Sequence, residues 1–192
     1  MNNTLLCGVG GQGTVLASRI IALSGMEAGF NVRTAETIGM SQRGGCVVSH
    51  VRVSDKNINS SLIPKGKADV IIAFEPAEAV RCIDYLKKDG TVVVNTKAVR
   101  PVTASLSGSS YDGSETLEYL KKNVKNLTVI DGEEICARCG SSKVLNIALL
   151  AGAAKTGALG IDIESLKNAI KKRVPEKFHE MNLKAVDAVV NG

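Results

Sequence analysis

The pattern of hydrophobic and polar positions along the chain predicts an alternation of strands and helices. Short apolar runs bounded by turn residues are typical of strands, and they occur at residues 5–7, 30–36, 46–53, 68–74, 91–95, 102–106 and 127–131. Stretches with apolar residues near helical spacing begin at residue 14 and occupy residues 75–88, 115–123, 142–156, 163–172 and 175–190. This order predicts an α/β fold, a three-layer α/β/α sandwich with a mostly parallel, Rossmann-like sheet and a helical C-terminal tail.

Length and composition fit one globular domain covering residues 1–192, because 44% of the residues are hydrophobic and 22% are charged. The first residues lack the basic and apolar regions of a signal peptide, and the longest nearly apolar stretch, residues 144–154, is too short to cross a bilayer. The five cysteines are odd in number and scattered, which indicates reduced thiols. These features predict a cytoplasmic protein without a membrane span.

The formal net charge of +5 does not by itself indicate a nucleic-acid-binding protein. Aromatic residues make up only 3% of the chain and tryptophan is absent, so a stacking platform for nucleic acid is hard to build. The basic residues cluster where helices are predicted to end, at residues 87–88, 121–125 and 171–173, and there they complement the helix dipole. The charge therefore favours an acidic partner subunit or a phosphate-bearing ligand over nucleic acid.

A glycine-rich turn joins the first predicted strand to the first predicted helix. It contains Gly8, Gly10, Gly11, Gln12 and Gly13. Glycines let a ligand approach the main chain, and the free N–H groups at the start of the following helix attract anions. The turn therefore predicts a phosphate or carboxylate site, although close packing of helix on sheet would explain the glycines equally well.

Glu36 lies at the end of the second predicted strand, about twenty residues after the glycine turn, where a dinucleotide-binding fold places the acid that holds a ribose. The strands and helix of residues 5–36 predict a βαβ unit. Glu36 is thus a candidate NAD ligand. The alternative is a carboxylate that organises the following loop.

That following loop, residues 37–45, has the composition of a contact segment. Ser41, Gln42, Arg43 and Gly44 lie in it, and Gln42 with Arg43 offers planar donors for a carboxylate or phosphate. The alternative is a surface loop whose arginine pairs with Glu36. His50 lies in the next strand without a paired acid or cysteine pattern, and we expect it to be structural.

Cys136 and Cys139 form the one C-x-x-C pair of the sequence. An iron–sulfur cluster needs four such ligands, so the sequence predicts neither a cluster nor a metal site. The two thiols are expected to be incidental, and the alternative is a redox pair at the start of a helix. No acid, base or nucleophile pattern predicts a catalytic residue.

The glycine turn and the loop after it resemble, in combination, a known family. The chain is similar to the gamma-type domain of the 2-oxoacid:ferredoxin oxidoreductases, most closely the small subunit of the indolepyruvate type. The resemblance covers nearly the whole chain and also includes residues 49–52, 68–76 and 146–153. Ile38 and Cys46 depart from the histidine and serine that are frequent there.

The resemblance implies a complex that oxidatively decarboxylates a 2-oxoacid with coenzyme A and reduces ferredoxin. It implies thiamine diphosphate and iron–sulfur clusters on a larger partner subunit, because this sequence lacks the motifs for both. The role left for this chain is to dock, to close one side of the active site and to bind coenzyme A phosphates through the glycine turn, the helix start and Arg43. A stand-alone NAD-binding dehydrogenase and a dinucleotide-binding regulatory protein are the alternatives.

Overall fold

The chain folds around one six-stranded sheet. The computed structural model describes residues 1–38, 44–100 and 111–192. Its strands are β1 (Asn2–Val9), β2 (Asn31–Ile38), β3 (Cys46–Ser54), β4 (Ala68–Ala73), β5 (Leu86–Asn95) and β6 (Asn126–Ile130). They lie in the order β2-β3-β1-β4-β5-β6. Because β3 alone is antiparallel to its neighbours, the other strands all run in the same direction.

Helices cover both faces of this sheet and complete the predicted three layers. The helices are α1 (Thr14–Glu27), α2 (Pro76–Arg81), α3 (Ser114–Asn123), α4 (Gly132–Cys139), α5 (Leu145–Lys155), α6 (Ile163–Arg173) and α7 (His179–Val190). Short 3₁₀ helices occupy Ile83–Tyr85, Ser142–Val144 and Glu176–Phe178. One face packs against α1 and α4 to α7, and the other against α2 and α3. None of the described helices is long and apolar enough to span a membrane.

The alternation of side chains along each strand divides the core in two. Leu6 and Ile72 point into the cluster under α1 and α5, whereas their neighbours Leu5 and Ile71 point into the cluster under α2 and α3. All four side chains are fully buried. A strand with both faces covered in this way reads as a continuous apolar run, which is why β1 and β4 could be recognised in the sequence.

The predicted βαβ unit is present in chain order but is split in space. β1 and β2 run in the same direction, yet β3 lies between them and hydrogen-bonds to both. The crossover through α1 therefore skips one strand position. This arrangement moves β2 to the edge of the sheet.

The predicted helix over residues 75–88 is wrong in its last part. α2 ends at Arg81, and after the 3₁₀ turn β5 already begins at Leu86. Leu86 pairs with Ala68 while Thr91 pairs with Val70, so the residues between Leu86 and Thr91 form a bulge, with Asp89 at a φ of +62°. Residues 87–88 consequently belong to a strand and not to a helix end.

The boundaries of the other predicted elements agree with the sequence to within a few residues, whereas the helix α4 was not predicted. The predicted helix over residues 142–156 begins as a 3₁₀ turn before α5, and the helix predicted from residue 175 also begins with one before α7. The short strand predicted at residues 102–106 lies outside the described residues. The lysines predicted at helix ends do close α3 and α6, where they complement the helix dipole.

Candidate functional site

The glycine turn uses backbone conformations that favour glycine. β1 ends at Val9 and α1 begins at Thr14, and between them Gly11 has a φ of +101° and Gly13 a φ of +87°. A side chain at Gly11 would meet no atom within 4 Å, so the backbone there is open to an approaching molecule. Gly13 caps α1 without any side-chain hydrogen bond, which leaves the first N–H groups of the helix available to a ligand.

Gln12 fastens this turn to the end of β4. Its side-chain oxygen accepts a hydrogen bond from the Val9 N–H at 2.7 Å, and its amide nitrogen donates to the Phe74 carbonyl at 3.1 Å. A Cβ at Gly8 would lie 2.8 Å from both the Gln12 oxygen and the Phe74 Cβ. Gly8 and Gln12 therefore have a packing role that suffices to explain both residues.

Asn95 extends the same network to a second helix start. It is 1% exposed, donates to the Phe74 carbonyl at 3.1 Å and accepts from the Gly132 N–H at 3.1 Å. The Phe74 carbonyl thus receives hydrogen bonds from Gln12 and Asn95 together. The ends of β4 and β5, the glycine turn and the start of α4 are held in one rigid frame.

This frame surrounds a cleft of about 580 Å³ at the carboxyl ends of the strands. The strands that follow β1 in the chain, β2 and β3, lie on one side of it in the sheet, whereas the strands that follow β4 lie on the opposite side. The strand order therefore reverses between β1 and β4. Ligands of open α/β sheets usually bind at such a point. The lining residues come from the glycine turn, α1, the end of β5 and the residues after it, α4, the 3₁₀ helix at Ser142–Val144 and the start of α5. They are Gly11, Gln12, Gly13, Leu16, Asn95, Lys97, Val99, Gly132, Glu133, Cys136, Ser142, Lys143, Leu145 and Asn146.

The electrostatics of the cleft favour an anion. The amino ends of α1, α4 and the helical segment beginning at Ser142 all border it, and each carries partial positive charge. Lys143 adds a full positive charge, while Lys97 is paired with Glu133 at 2.6 Å. Asn146 is 3% exposed and packs against Gly13, and its amide nitrogen has no hydrogen-bond partner among the described residues.

The predicted contact loop ends beside this turn. Gly10 donates a hydrogen bond to the Gly45 carbonyl at 2.8 Å, and exposed Gly44 has a φ of +80°. Ser41, Gln42 and Arg43 lie outside the described residues. The described part of the chain therefore brings Gly44 next to the glycine turn.

Glu36 has a different position from the ribose-binding acid of a dinucleotide fold. In that fold the strand carrying the acid pairs directly with the first strand, whereas here β3 separates β2 from β1. Exposed Glu36 accepts a hydrogen bond from the Ser18 hydroxyl on α1 at 3.3 Å and does not line the cleft. Glu36 thus links the edge strand to α1.

A pair of buried carboxylates, not anticipated as such from the sequence, supports the neighbouring loops. Glu75 caps α2 by accepting from the Glu78 N–H at 3.0 Å, and it accepts from the Tyr111 hydroxyl at 2.5 Å. Burial and this hydrogen bond raise the pKa of Tyr111 to about 12. Glu78 accepts from the Cys46 thiol at 3.2 Å, and burial followed by this contact raises the pKa of Cys46. The signal in the sequence was an acid directly before a proline at a helix start.

The cysteines and His50 have no arrangement that indicates chemistry of their own. Cys136 lines the cleft, and its burial, with a smaller contribution from Cys139, raises its pKa and favours the neutral thiol. Among the described residues, no three histidine, cysteine or acidic side chains are placed to hold a metal ion. His50 is buried and accepts a hydrogen bond from the Ile63 N–H at 3.2 Å, which is the structural role that was predicted.

Of the residues predicted to bind a cofactor, Gly11, Gln12 and Gly13 line the cleft, while Gly8 and Gly10 hold the turn in place. The sequence interpretation missed the opposite wall, above all Asn95, Lys97 and Lys143. These residues follow a strand or begin a helix far along the chain, and only the strand order brings them to the glycine turn.

Comparison with known proteins adds a family and several relatives. Residues 3–192 match the family described as pyruvate ferredoxin/flavodoxin oxidoreductase. The chain is 35% identical over 187 residues to the indolepyruvate oxidoreductase subunit IorB of Pyrococcus horikoshii, covering 96% of this chain and 92% of the relative. It is 38% identical to IorB of Archaeoglobus fulgidus, covering 96% and 91%. The common gamma subunit of the pyruvate/ketoisovalerate oxidoreductases of Pyrococcus abyssi is 31% identical, with 93% and 89% covered.

Solved structures share the fold. The gamma subunit of a keto/oxoacid ferredoxin oxidoreductase from Geobacter sulfurreducens aligns over 100% of this chain and 97% of its own, with a TM-score of 0.72 and 23% identity. The 2-oxoglutarate:ferredoxin oxidoreductase of Magnetococcus marinus, solved with 2-oxoglutarate, coenzyme A and succinyl-CoA, aligns over 99% of this chain and 31% of its own, with a TM-score of 0.72 and 18% identity. At these identities the likeness establishes the fold.

Proposed function

The chain belongs to the pyruvate ferredoxin/flavodoxin oxidoreductase family, and from this premise we propose that it is the small, gamma-type subunit of a 2-oxoacid:ferredoxin oxidoreductase of the indolepyruvate type. The complex converts a 2-oxoacid, coenzyme A and oxidised ferredoxin into the acyl-CoA, carbon dioxide and reduced ferredoxin. The observation that carries the proposal is the match to IorB subunits over almost the full length of both chains. We propose that residues 1–192 form one such domain.

The redox centres belong, in this proposal, to a larger partner subunit. Thiamine diphosphate supplies the electron sink for decarboxylation when bound, and iron–sulfur clusters carry the electrons away. The cysteines of this chain support the placement of the clusters on the partner. Cys7 and Cys82 are buried in the core, and the described residues include no group of three histidine, cysteine or acidic side chains that could hold a metal ion. Five free cysteines also support the cytoplasm as its compartment.

The cleft gives this chain a ligand-binding role within the complex. We propose that the glycine turn, the start of α1 and the loop containing Ser41, Gln42, Arg43 and Gly44 bind the phosphates of coenzyme A. The open backbone at Gly11, the converging helix starts and Lys143 support an anionic ligand. The volume of about 580 Å³ lies in the range of small-molecule sites.

The proposed function is tested by purifying the tagged chain anaerobically from its own host and measuring its native mass. We expect a brown complex that contains a much larger subunit, iron and thiamine diphosphate and reduces ferredoxin when given a 2-oxoacid and coenzyme A. A colourless monomer or homodimer would contradict the proposal. Titration with NAD would then test the free-standing dinucleotide-binding alternative.

The role of Arg43 is tested by the Arg43→Ala variant of the complex. Loss of a charge-assisted phosphate contact costs about 1.5–3 kcal/mol, so we expect the KM for coenzyme A to rise roughly 10-fold to 150-fold while the KM for the 2-oxoacid stays unchanged. Arg33→Ala is the matched control, because Arg33 is exposed on β2. An unchanged KM for coenzyme A in Arg43→Ala would remove this residue from the site.

A further inference from the structure

The end of the molecule where the parallel strands begin is strongly basic. Three neighbouring segments meet there. The first precedes β4, the second forms the start of β5, and the third connects α3 to β6. Every lysine in these segments is exposed. We call this surface the basic end and define it by Lys65, Lys67, Lys87, Lys88, Lys121, Lys122 and Lys125.

The acids within these segments are already paired. Asp84 binds Lys65 at 3.0 Å, Asp89 binds Lys125 at 3.0 Å, and Asp69 forms an ion pair with Lys87. The other four lysines of the basic end have no ion pair among the described residues. They are Lys67, Lys88, Lys121 and Lys122.

The basic end accounts for most of the net charge of the protein. Its seven lysines and three aspartates have a net charge of +4, whereas the rest of the chain has 17 basic and 16 acidic side chains. Exposed Glu118, one turn before Lys122 on α3, is among those 16 and borders the surface. The positive charge is therefore concentrated at one end of the molecule instead of being spread over it.

The chemistry of this surface suits a transient electrostatic contact. Permanent subunit interfaces have an apolar centre from which lysine is depleted, whereas here exposed lysines surround a shallow crevice of about 370 Å³. Clustered charges of one sign attract an oppositely charged protein over distances of about a Debye length and raise its association rate. The fitting partner is an acidic protein that binds and leaves repeatedly.

The position of the basic end bears on whether it is accessible in the proposed complex. β4 and β5 begin at the basic end and finish at the cleft, so the two surfaces lie at opposite ends of the sheet. In the proposed function, coenzyme A bound in the cleft must reach the thiamine diphosphate of the larger subunit, which places the larger subunit at the cleft end. The basic end is then open to a protein that visits the assembled complex.

We propose that the basic end steers the acidic electron carrier of the complex, a ferredoxin, into its encounter with the enzyme. This inference rests on the proposed function of the chain as a subunit of a ferredoxin-reducing complex. The lysines raise the rate of encounter, and the electrons themselves come from the clusters of the larger subunit. The interaction is expected to weaken steeply with ionic strength.

The test compares the wild-type complex with one carrying Lys88→Glu, Lys121→Glu and Lys122→Glu. The measured quantity is kcat/KM for a purified acidic ferredoxin across a series of salt concentrations, with methyl viologen as a small acceptor in parallel. We expect kcat/KM for ferredoxin at low salt to fall at least about tenfold and its salt dependence to flatten. Reduction of methyl viologen should stay unchanged.

A second triple variant controls for the change in total charge. Lys171→Glu, Arg173→Glu and Lys184→Glu alter three exposed residues of α6 and α7, on the other helical layer, and should leave kcat/KM for ferredoxin within about twofold of the wild type. An equal fall in both triple variants, or no fall in the first, would overturn the inference. Dissociation of the larger subunit from the first variant would overturn it as well. A wild-type complex that reduces neither acceptor would instead refute the proposed function.

Discussion

Some single residues at the cleft are required by the local backbone, whereas others are explained only by a partner far along the chain. Gly11 and Gly13 adopt left-handed backbone conformations, so glycine is required by the turn itself. Gln12 is different, because its two hydrogen bonds join Val9 to Phe74 of another strand. The sequence could identify the glycines as a turn, but the partner of Gln12 lies far away along the chain. The same distinction applies to His50, whose partner is Ile63.

His50 makes the stability of the fold sensitive to pH. Burial lowers the pKa of His50 in the folded state below the usual value of about 6.5. At a pH between the folded-state pKa and the unfolded-state pKa, the unfolded state therefore binds more protons than the folded state. The contribution of neutral His50 to the free energy of unfolding is therefore fully present above about pH 6.5, and it decreases as the pH falls below that value. Denaturant unfolding at about pH 8 and about pH 5.5 should show this loss, and His50→Asn, which does not titrate, should reduce it.

His179→Asn is the matched control, since His179 is the other histidine of the chain and contacts the Val174 carbonyl at 2.7 Å. Comparison of the two variants tests whether the reduced pH dependence is specific to position 50. If His50→Asn kept the full pH dependence, the assignment of that dependence to His50 would be wrong.

Whole elements are held at the cleft by a few polar side chains, some buried like Asn95 and some exposed like Asp131. Asn95 at the end of β5 connects the exit of β4 with the start of α4, and Asp131 caps α4 by accepting from the Glu134 N–H at 3.0 Å. Of these elements, α4 was not predicted as a helix, whereas β4 and β5 were predictable because apolar runs are local signals. The early start of β5 at Leu86 was not, because it depends on pairing with Ala68 and on a bulge at Asp89.

Removing the Asn95 side chain should loosen this frame. Asn95→Ala leaves the buried Gly132 N–H without its acceptor, so we expect the free energy of unfolding to fall by an amount on the order of 2 kcal/mol. Asn123→Ala is the matched control, because the Asn123 amide also donates to a backbone carbonyl, that of Tyr119 at 2.7 Å, but at an exposed site. This substitution should lower the free energy of unfolding by less than about 0.5 kcal/mol. Equal losses measured by urea unfolding would show that the buried network does not stabilise the frame.

At the scale of the whole molecule, the fold separates two surfaces of different chemistry. The cleft lies where the parallel strands end and joins an open backbone to helix starts, which suits a small anion. The basic end lies where those strands begin and presents exposed lysines, which suits an acidic protein. A sheet in which five strands run in the same direction keeps these surfaces apart, so that a ligand and a carrier protein need not compete for one site.

The sequence by itself determined the α/β class, most element boundaries, the glycine turn and the family, because each depends on residues near one another in the chain. Only the tertiary structure decided that β3 separates β2 from β1, which places Glu36 outside the cleft. It also decided that Asn95 and Lys143 face the glycine turn, and that lysines from three segments form one surface. These juxtapositions depend on strand order, which is set by burial of both sheet faces and by hydrogen bonds between distant segments.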